Sequence, residues 1–359
     1  MKRRNFIAAA GAATLLGACG QKQDCTKGTP EEAKPQEVIK WNMVTTWPPG
    51  FQGLGTGAEY LAELIGKMSG GRLQVKVYGA GELVPPLQVF DEVSSGSVQM
   101  GHGAAYYWKG KLPAASFFSS VPFGLNAQEM NGWLLKGGGL ELWEELYSPF
   151  NILPLPAGNT DTQMAGWFNK EIITIEDLKG LKMRIPGLGG EVLKRAGGTP
   201  ELIAGGEIFS ALEMGRIDAA EFVGPYNDLA FGFYKAAKYY YYPGWHEPGT
   251  TLEAIINKEA LAGLPADLQE IVKAACLTAN ADMLAEFTEK NSQALKILVE
   301  EHGVQVKPLP EAVLTHLSKI AEEVVAEQGA VNPLAKKIFN SYQAFKAKSA
   351  EWRKIAQSL

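Results

Sequence analysis

Segments with the pattern of β-strands and segments with the spacing of α-helices follow one another along most of the chain. Residues 38–45 and 73–78 have the composition and alternation of strands, and residues 57–68 between them carry apolar side chains at helical spacing. A helix at 82–95 and a strand at 98–103 continue the series. Repeated strand–helix units predict an α/β fold with parallel strands, in which ligands bind at the carboxyl ends of the strands.

The predicted elements become shorter in the middle of the chain and longer towards its end. The middle part is predicted to contain a helix, three short strands and a second helix, in that order: 128–147, 152–157, 164–169, 182–185 and 206–219. From Leu261 onward glycines are few, which indicates long helices. The chain is long enough for two lobes, and we predict lobe I over 38–160, lobe II over 161–250, and a return to lobe I with long C-terminal helices over 251–359.

The N-terminus has the pattern of an export signal. Basic residues precede an apolar stretch at 6–16, and the run LGAC at 16–19 has the form of a lipobox. We predict a signal peptide over 1–18 and a polar lipoprotein tether over 19–37 that begins at an acylated Cys19. The arginine pair also fits twin-arginine export, and an uncleaved apolar anchor is the alternative. Each of these places the body of the protein in the periplasm or on the outer cell surface.

Charge, histidine content and missing motifs narrow the classes of function. A net charge of −5 argues against a nucleic-acid partner, because neutralising phosphates needs a basic surface. The four histidines are scattered without the spacing of a zinc site, so each is interpreted as structural or solvated. Glycine-rich stretches at 53–57, 137–139 and 187–190 complete no nucleotide-binding motif. Because Gly-x-Ser-x-Gly and His-Glu-x-x-His are also absent, we predict a binding protein rather than an enzyme.

One arginine has the context of a carboxylate anchor. Arg184 lies in a predicted strand and precedes Ile-Pro-Gly, so its side chain is expected at a strand end beside a sharp turn. A guanidinium matches a carboxylate in bidentate geometry and keeps its charge when desolvated. Arg184 is therefore the candidate anchor for a small organic anion, with pairing to a surface acid as the alternative. Replacing it with Ala is expected to abolish binding and to leave the thermal midpoint of the ligand-free protein roughly unchanged.

A carboxylate in the same predicted cleft complicates this assignment. Glu221 would repel an anionic ligand by roughly 4 kcal/mol at about 4 Å and an effective dielectric near 20. A cation held by Glu221, backbone carbonyls and amide oxygens such as that of Gln163 would remove the repulsion, and Na⁺ and Ca²⁺ prefer such oxygen ligands. The alternative is that Glu221 caps a turn or pairs with Arg184.

Aromatic residues lie close to these charges in the predicted fold. The aromatic turn at 106–108 follows the strand at 98–103, at a carboxyl end where ligands bind in such folds. A second aromatic run, YYYYPGWHEPG at 239–249, follows Glu221 along the chain. Opposite charges among aromatic rings indicate a pocket for a small anion from which water is excluded.

Several of these segments together resemble a known family. The runs NTDTQMAGWFNKEI, DLKGLKMRIPG, AAEFVGPYND and YYYYPGWHEPG are similar to those of the extracytoplasmic solute receptors of tripartite ATP-independent periplasmic (TRAP) transporters, in the branch that binds 2-oxo and 2-hydroxy monocarboxylates. The resemblance extends over nearly all of the mature chain and is least clear in the tether and the C-terminal end.

The resemblance implies a two-lobed, periplasmic-binding-protein-like fold and a set of binding residues. In that branch the arginine matching Arg184 holds the substrate carboxylate. Gln163 and Glu221, with the carbonyl of Phe222, match the ligands of a metal ion, which is expected to be Na⁺ or Ca²⁺. The other candidate substrate-binding residues are Tyr106, Tyr107, Asn159, Trp245 and Glu247, beside Gln163 and Phe222. Phe222 and His246 stand where relatives often carry a different aromatic residue, which leaves the preferred substrate open.

The resemblance also implies partners. The expected ligand is a small organic anion such as pyruvate or lactate, and the expected protein partners are the membrane subunits of a TRAP permease. Family receptors include dimers joined by an exchanged C-terminal helix, so a homodimer is an expectation here, without that exchange being assumed. A lipid-anchored binding module for a sensor or an ATP-driven importer stays an alternative, and a periplasmic enzyme is less favoured.

Overall fold

The structure is a computed structural model that describes residues 37–356, so the predicted signal peptide, lipobox and most of the tether lie outside the described residues. One sheet consists of five strands: β1 (Ile39–Thr45), β2 (Leu73–Tyr78), β3 (Met100–Gly103), β4 (Ile152–Asn159) and β10 (Thr251–Asn257), in the order β2-β1-β3-β10-β4. β1, β2 and β3 are parallel, whereas β10 is antiparallel to both β3 and β4. The sheet is mixed rather than parallel as predicted, because β10 enters after a long excursion and needs no strand–helix–strand crossover.

The second sheet has six strands, most of them short. They are β5 (Gly166–Phe168), β6 (Lys182–Arg184), β7 (Thr199–Glu201), β8 (Ala219–Ala220), β9 (Tyr239–Tyr242) and β11 (Gln305–Pro308), in the order β11-β9-β5-β8-β6-β7. β6 is parallel to β7 and β8, and β5 is antiparallel to β8 and β9. β11, which belongs to the C-terminal segment, pairs with β9 and so completes this second sheet.

Helices surround both sheets. The α-helices of the described residues are α1 (Gly55–Met68), α2 (Val89–Ser94), α3 (Ala127–Lys136), α4 (Gly139–Tyr147), α5 (Gly187–Arg195), α6 (Ile208–Glu213), α7 (Pro225–Phe231), α8 (Lys258–Ala262), α9 (Ala266–Glu300), α10 (Glu311–Ala330) and α11 (Pro333–Ala356). Short 3₁₀ helices cover Pro86–Gln88, Ala105–Trp108, Pro113–Phe118, Ser148–Phe150, Ile175–Leu178, Gly205–Glu207 and Phe233–Lys235. The long helices predicted for the C-terminal part are therefore present.

The helix predicted at 128–147 is divided into two. α3 begins with a capping box, in which Asn126 and Glu129 each accept a hydrogen bond from the other's backbone N–H. It ends at a glycine run, where Gly138 takes the left-handed conformation with φ of 83° and α4 begins. That conformation is accessible to glycine at little cost, so the run sets a corner between two helices.

Two further predicted helices are shorter in the structure. The segment at 82–95 forms a 3₁₀ turn at its proline pair and then the short helix α2, because Pro85 cannot lie inside a helix. In the segment at 206–219 the only α-helix is the short α6, which ends before Gly215, whose φ is 68°. A left-handed glycine just past the last turn is a common helix stop.

Apolar side chains pack the helices against the sheets. α1 buries Ala58, Leu61 and Ile65 in the same core cluster as Met43 of β1, and each fully buried Leu or Ile contributes roughly 1.5–3 kcal/mol. α9 lies against β4, α1 and α7, so one long helix contacts elements next to both sheets. None of the helices within residues 37–356 combines the length and the apolar composition that a membrane span requires.

Candidate functional site

The candidate site lies where adjacent parallel strands of the six-stranded sheet end. Arg184 is the last residue of β6 and pairs with Ala220, the last residue of β8. Glu221 therefore follows directly after the neighbouring strand, and its backbone N–H donates to the carbonyl of Arg184 at 3.1 Å. Strand register alone brings the predicted anchor and the predicted cation ligand side by side, at the edge where ligands bind in sheets with parallel strands.

The Arg184 guanidinium is buried and holds several hydrogen bonds. Nε donates to the carbonyl of Ile203 at 3.1 Å, and Nη1 donates to the carbonyl of Glu221 at 2.8 Å and to the Glu221 carboxylate. Nη2 has a single long contact, to the Tyr107 hydroxyl at 3.4 Å. Since a guanidinium carries two N–H groups on each terminal nitrogen, Nη2 is the end with donor capacity for a further acceptor.

A direct ion pair between Arg184 and Glu221 dominates the charges of the site. Both side chains are almost fully buried, at 1% and 0% exposure. Burial is the largest single influence and lowers the pKa of Arg184, but the nearby Glu221, Tyr107, Tyr106 and Glu247 side chains together raise that pKa above its usual value. The structure contains the pairing of Glu221 with Arg184, which the sequence analysis had named as an alternative.

The second oxygen of Glu221 contacts a histidine that the sequence analysis had interpreted as structural or solvated. His246 is buried, and its Nε2 lies 3.0 Å from Oε2 of Glu221. Its Nδ1 is buried without a hydrogen-bond partner among the described residues. His246 is therefore buried rather than solvated, and the sequence signal for its place beside Glu221 was its position between two predicted site residues, Trp245 and Glu247.

Gln163 has an unpartnered side-chain oxygen. Its Nε2 donates to the hydroxyls of Thr160 at 2.9 Å and Thr250 at 3.2 Å, which fixes the orientation of the amide. Oε1 is then buried with no hydrogen-bond partner within residues 37–356. Because a buried carbonyl oxygen left unpaired costs free energy, such an atom indicates a missing partner.

Glu247 lies against the same residues. The Thr250 hydroxyl donates to Oε2 of Glu247 at 2.6 Å, and the backbone N–H of Gln163 donates to the Glu247 carbonyl at 3.1 Å. Burial, then the nearby Glu221 carboxylate, raise the pKa of Glu247 to about 7. A second acid beside Glu221 therefore retains its proton more readily than an exposed glutamate.

The donor set fits a hard cation. Glu221, His246 and Glu247 each offer a ligand atom, and these atoms lie within 4.8 Å of one another. Na⁺ and Ca²⁺ take carboxylate, amide and carbonyl oxygens. The unpartnered Oε1 of Gln163 and the Glu221 carboxylate are of this kind, so these residues fit the ion expected from the sequence.

Aromatic rings cover the guanidinium. The Phe222 ring centroid lies 5.5 Å from Cζ of Arg184, within the range of a cation–π contact. The Tyr106 and Tyr107 rings meet edge to face at 4.9 Å, and burial raises the pKa of both hydroxyls above the usual value. Trp245 stacks on Phe123 at 5.8 Å, next to His246.

A groove of about 300 Å³ adjoins these rings, and its lining includes Tyr106, Tyr107, Ile185, Pro186, Gly187 and Leu202. Tyr107 also contacts Nη2 of Arg184, so the groove begins beside the charged cluster, which consists of Arg184, Glu221, His246 and Glu247.

Two residues highlighted by the sequence have other contacts. The Asn159 amide donates to the Thr251 hydroxyl at 3.3 Å and accepts from the backbone N–H of Asp161 at 2.8 Å, so it ties the chain locally. Trp108, the end of the aromatic turn, donates to the Glu253 carboxyl in the core of the five-stranded sheet rather than to the charged cluster. The position of the aromatic turn after a strand end predicted that the turn lies near the site, whereas the direction of each ring depended on packing.

Comparisons with known proteins identify the family of this chain. The family described as "Bacterial extracellular solute-binding protein, family 7" (DctP) matches residues 43–331. The monocarboxylate 2-oxoacid-binding periplasmic protein of Nostoc sp. is 43% identical over 362 residues, which cover 99% of this chain and 96% of that protein.

Two solved structures are similar throughout. A TRAP periplasmic solute-binding protein from Pseudoalteromonas atlantica with bound sodium and pyruvate has a TM-score of 0.87 and 43% identity, covering 89% of this chain and 98% of that one. A TRAP transporter solute-binding protein from Bordetella bronchiseptica, a mixed-occupancy dimer with copurified calcium and picolinate, has a TM-score of 0.87 and 37% identity, covering 89% and 95%. The predicted fold class, a two-lobed periplasmic-binding-protein-like α/β fold with long C-terminal helices, is confirmed.

Proposed function

Since the chain belongs to the DctP family of bacterial extracellular solute-binding proteins, we propose that it is the extracytoplasmic receptor of a TRAP transporter and binds a small 2-oxo or 2-hydroxy monocarboxylate. The observation that carries the proposal is the buried pair at the ends of β6 and β8, where a guanidinium with donor capacity at Nη2 contacts the Glu221 carboxylate. The unpartnered amide oxygen of Gln163 supports it. A ligand carboxylate would accept hydrogen bonds from Nη2 of Arg184, and a cation would bind the Glu221 carboxylate and the Gln163 oxygen.

The relatives suggest the ligand class. The Nostoc protein is a 2-oxoacid-binding protein, and the Pseudoalteromonas structure holds pyruvate with sodium. We propose that Gln163, Glu221 and the carbonyl of Phe222 hold Na⁺ or Ca²⁺ here. When bound, the ion supplies positive charge that offsets Glu221 and attracts the carboxylate and α-oxygen of the ligand. Tyr106, Tyr107, Phe222 and Trp245 would exclude water from the ligand, with Glu247 held nearby by Thr250.

We infer a role in capture and delivery without chemistry. Ligand binding would favour a closed arrangement of the two lobes, which the membrane permease subunits would recognise. The protein would act in the periplasm or at the outer cell surface, anchored through an acylated Cys19. A homodimer, as in the Bordetella relative, is compatible with this role.

Calorimetric titration of pyruvate tests the proposal. Protein dialysed against a chelator is titrated with pyruvate, then again with Ca²⁺ and with Na⁺ present, and acetate serves as a matched ligand that lacks the α-oxygen. We expect pyruvate to bind only with a cation, and acetate to bind at least about tenfold more weakly, since it has no α-oxygen with which to chelate the ion beside a carboxylate oxygen.

Mass spectrometry of the ligand that denaturation releases from freshly purified protein identifies the natural anion. Absence of binding by pyruvate and lactate with either ion would contradict the proposal, and turnover of a 2-oxo acid by the protein would favour an enzyme instead.

A further inference from the structure

The loop between β1 and α1 contacts the segment that follows β8. The Phe51 ring stacks on the Phe231 ring with centroids 4.2 Å apart and an interplanar angle of 23°, and it meets the Phe222 ring edge to face at 6.2 Å. Phe51 follows a strand of the five-stranded sheet, whereas Phe222 and Phe231 follow a strand of the six-stranded sheet. The contact therefore joins the two sheets of the fold at the candidate site.

Hydrogen bonds of Gln52, the residue after Phe51, hold the same loop in place. Nε2 of Gln52 donates to the carbonyl of Tyr226 at 2.8 Å, and Nδ2 of Asn227 donates to the carbonyl of Gln52 at 2.8 Å. The pair is reciprocal, with each segment supplying one donor and one acceptor. The stacked ring is thus supported by a directional contact beside it.

Phe222 connects this loop to the anchor. Its ring lies over the Arg184 guanidinium, and its remaining surroundings include Phe51, Phe231 and Gly205. A Cβ at Gly205 would lie 2.7 Å from the ring, so the ring is confined on that side. Phe51 occupies space on another side, and its loss would allow the ring to move away from the guanidinium.

We propose that Phe51 is a positioning residue that retains the ligand by holding Phe222 over Arg184 and by fastening the two lobes in the closed arrangement. The proposal rests on the proposed function. Contacts made only in the closed arrangement lower its free energy relative to an open one, so a bound ligand leaves more slowly when they are present. The ring acts through Phe222 and makes no contact with Arg184 itself.

Stopped-flow tryptophan fluorescence with pyruvate and Ca²⁺ tests the proposal. Phe51→Ala is expected to raise the dissociation rate constant about tenfold, which corresponds to about 1.4 kcal/mol at 25 °C, with the association rate constant changed by less than about twofold. Phe51→Trp keeps an aromatic ring and is expected to restore slow dissociation. Phe150→Ala is the matched control, since Phe150 is a half-buried ring paired edge to face with Phe90 at 5.3 Å, away from the charged cluster.

The outcomes separate this inference from the proposed function. Failure of the wild-type protein to bind pyruvate removes the proposed function, whereas wild-type binding with unchanged dissociation in Phe51→Ala overturns the role of Phe51 alone. An equal effect of Phe150→Ala also overturns it, because general loosening would then explain the rate. If Phe51→Ala does not fold, Phe51→Leu and Gln52→Ala decide: normal dissociation in both contradicts the proposal.

Discussion

At the residue scale, the site is built from polar atoms that the rest of the fold leaves incompletely satisfied. Nη2 of Arg184 has one long contact, Oε1 of Gln163 has no partner within the described residues, and Nδ1 of His246 is likewise unpartnered there. Buried polar atoms are usually paired, so these unpaired atoms support the proposal of a binding site here. Glu221 is the centre of the group because it contacts both Arg184 and His246.

Removal of the Gln163 oxygen is expected to weaken cation binding. Gln163→Leu keeps a similar volume but deletes Oε1, so Ca²⁺ affinity in the presence of pyruvate should fall by at least about tenfold, the scale seen when groups around a metal are removed. Calorimetry measures the change. Thr160→Val is the control, because it removes a partner of Nε2 and leaves Oε1 in place. Unchanged Ca²⁺ affinity in Gln163→Leu would exclude this oxygen as a ligand.

Truncation of the anchor is expected to destabilise the ligand-free protein, which revises the expectation from the sequence. Arg184→Ala leaves the Glu221 carboxylate buried without its counterion, and loss of one partner of a buried pair costs about 3–5 kcal/mol. Urea unfolding of the ligand-free protein measures this loss. The double variant Arg184→Met with Glu221→Gln removes both charges and should recover much of it. A single variant as stable as the wild type would show that the pair is solvated.

At the scale of elements, β10 is the strand that departs most from the predicted parallel sheet. It lies between β3 and β4, runs antiparallel to both, and is buried along its whole length. It also carries a buried acid, Glu253, whose carboxyl accepts hydrogen bonds from Nε1 of Trp108 and, at 3.0 Å, from the Tyr147 hydroxyl. A polar group in a central strand is tolerated because both of its oxygens have donors.

The stability of the protein is expected to fall with rising pH because of this acid. Burial raises the pKa of Glu253 to about 8, so the folded state holds a proton that the unfolded chain releases near pH 4.5. The stabilisation is fully present below about pH 4.5 and is lost as pH rises through about 8.

Glu253→Gln should therefore lose less stability than the wild type between about pH 5 and about pH 8.5, with a difference of at least about 1 kcal/mol in urea unfolding. Parallel pH profiles for the two proteins would show instead that Glu253 is ionised in the folded state.

At the scale of the whole molecule, segments that follow strands of the two sheets contact each other on either side of the charged cluster. Besides the Phe51 contact, Lys109, which follows the aromatic turn of the first sheet, pairs with Glu191 of α5 at 2.7 Å. Both groups line the groove beside Tyr106. They are partly exposed, so the pair contributes modestly and is screened by salt.

Charge reversal of this pair is expected to weaken pyruvate binding. Lys109→Glu should lower the affinity by about fivefold at low salt, corresponding to the roughly 1 kcal/mol upper range of exposed pairs. The double reversal, Lys109→Glu with Glu191→Lys, should restore most of it. Titrations at low and high ionic strength check both points. If the double variant binds no better than the single one, the pair does not act across the groove.

The sequence by itself determined the local features of this protein. Alternation and helical spacing located strands such as β2 and helices such as α1, since these patterns record which face of each element is buried. The run around Arg184 predicted a guanidinium at a strand end, with Glu221 and Gln163 as possible cation ligands, and the resemblance to TRAP receptors added the carbonyl of Phe222. Helix boundaries were least certain where glycine or proline intervened, as at the division between α3 and α4.

Only the tertiary structure decided how distant segments meet. The contact of His246 with Glu221, the hydrogen bond of Gln163 with Thr250, the antiparallel pairing of β10 and the stacking of Phe51 on Phe231 all join residues far apart in the chain. Local propensity does not encode such contacts, because they depend on the packing of whole elements and on which donors remain after the backbone is paired. The residue types of the site were therefore available from the sequence, while its arrangement followed from the fold.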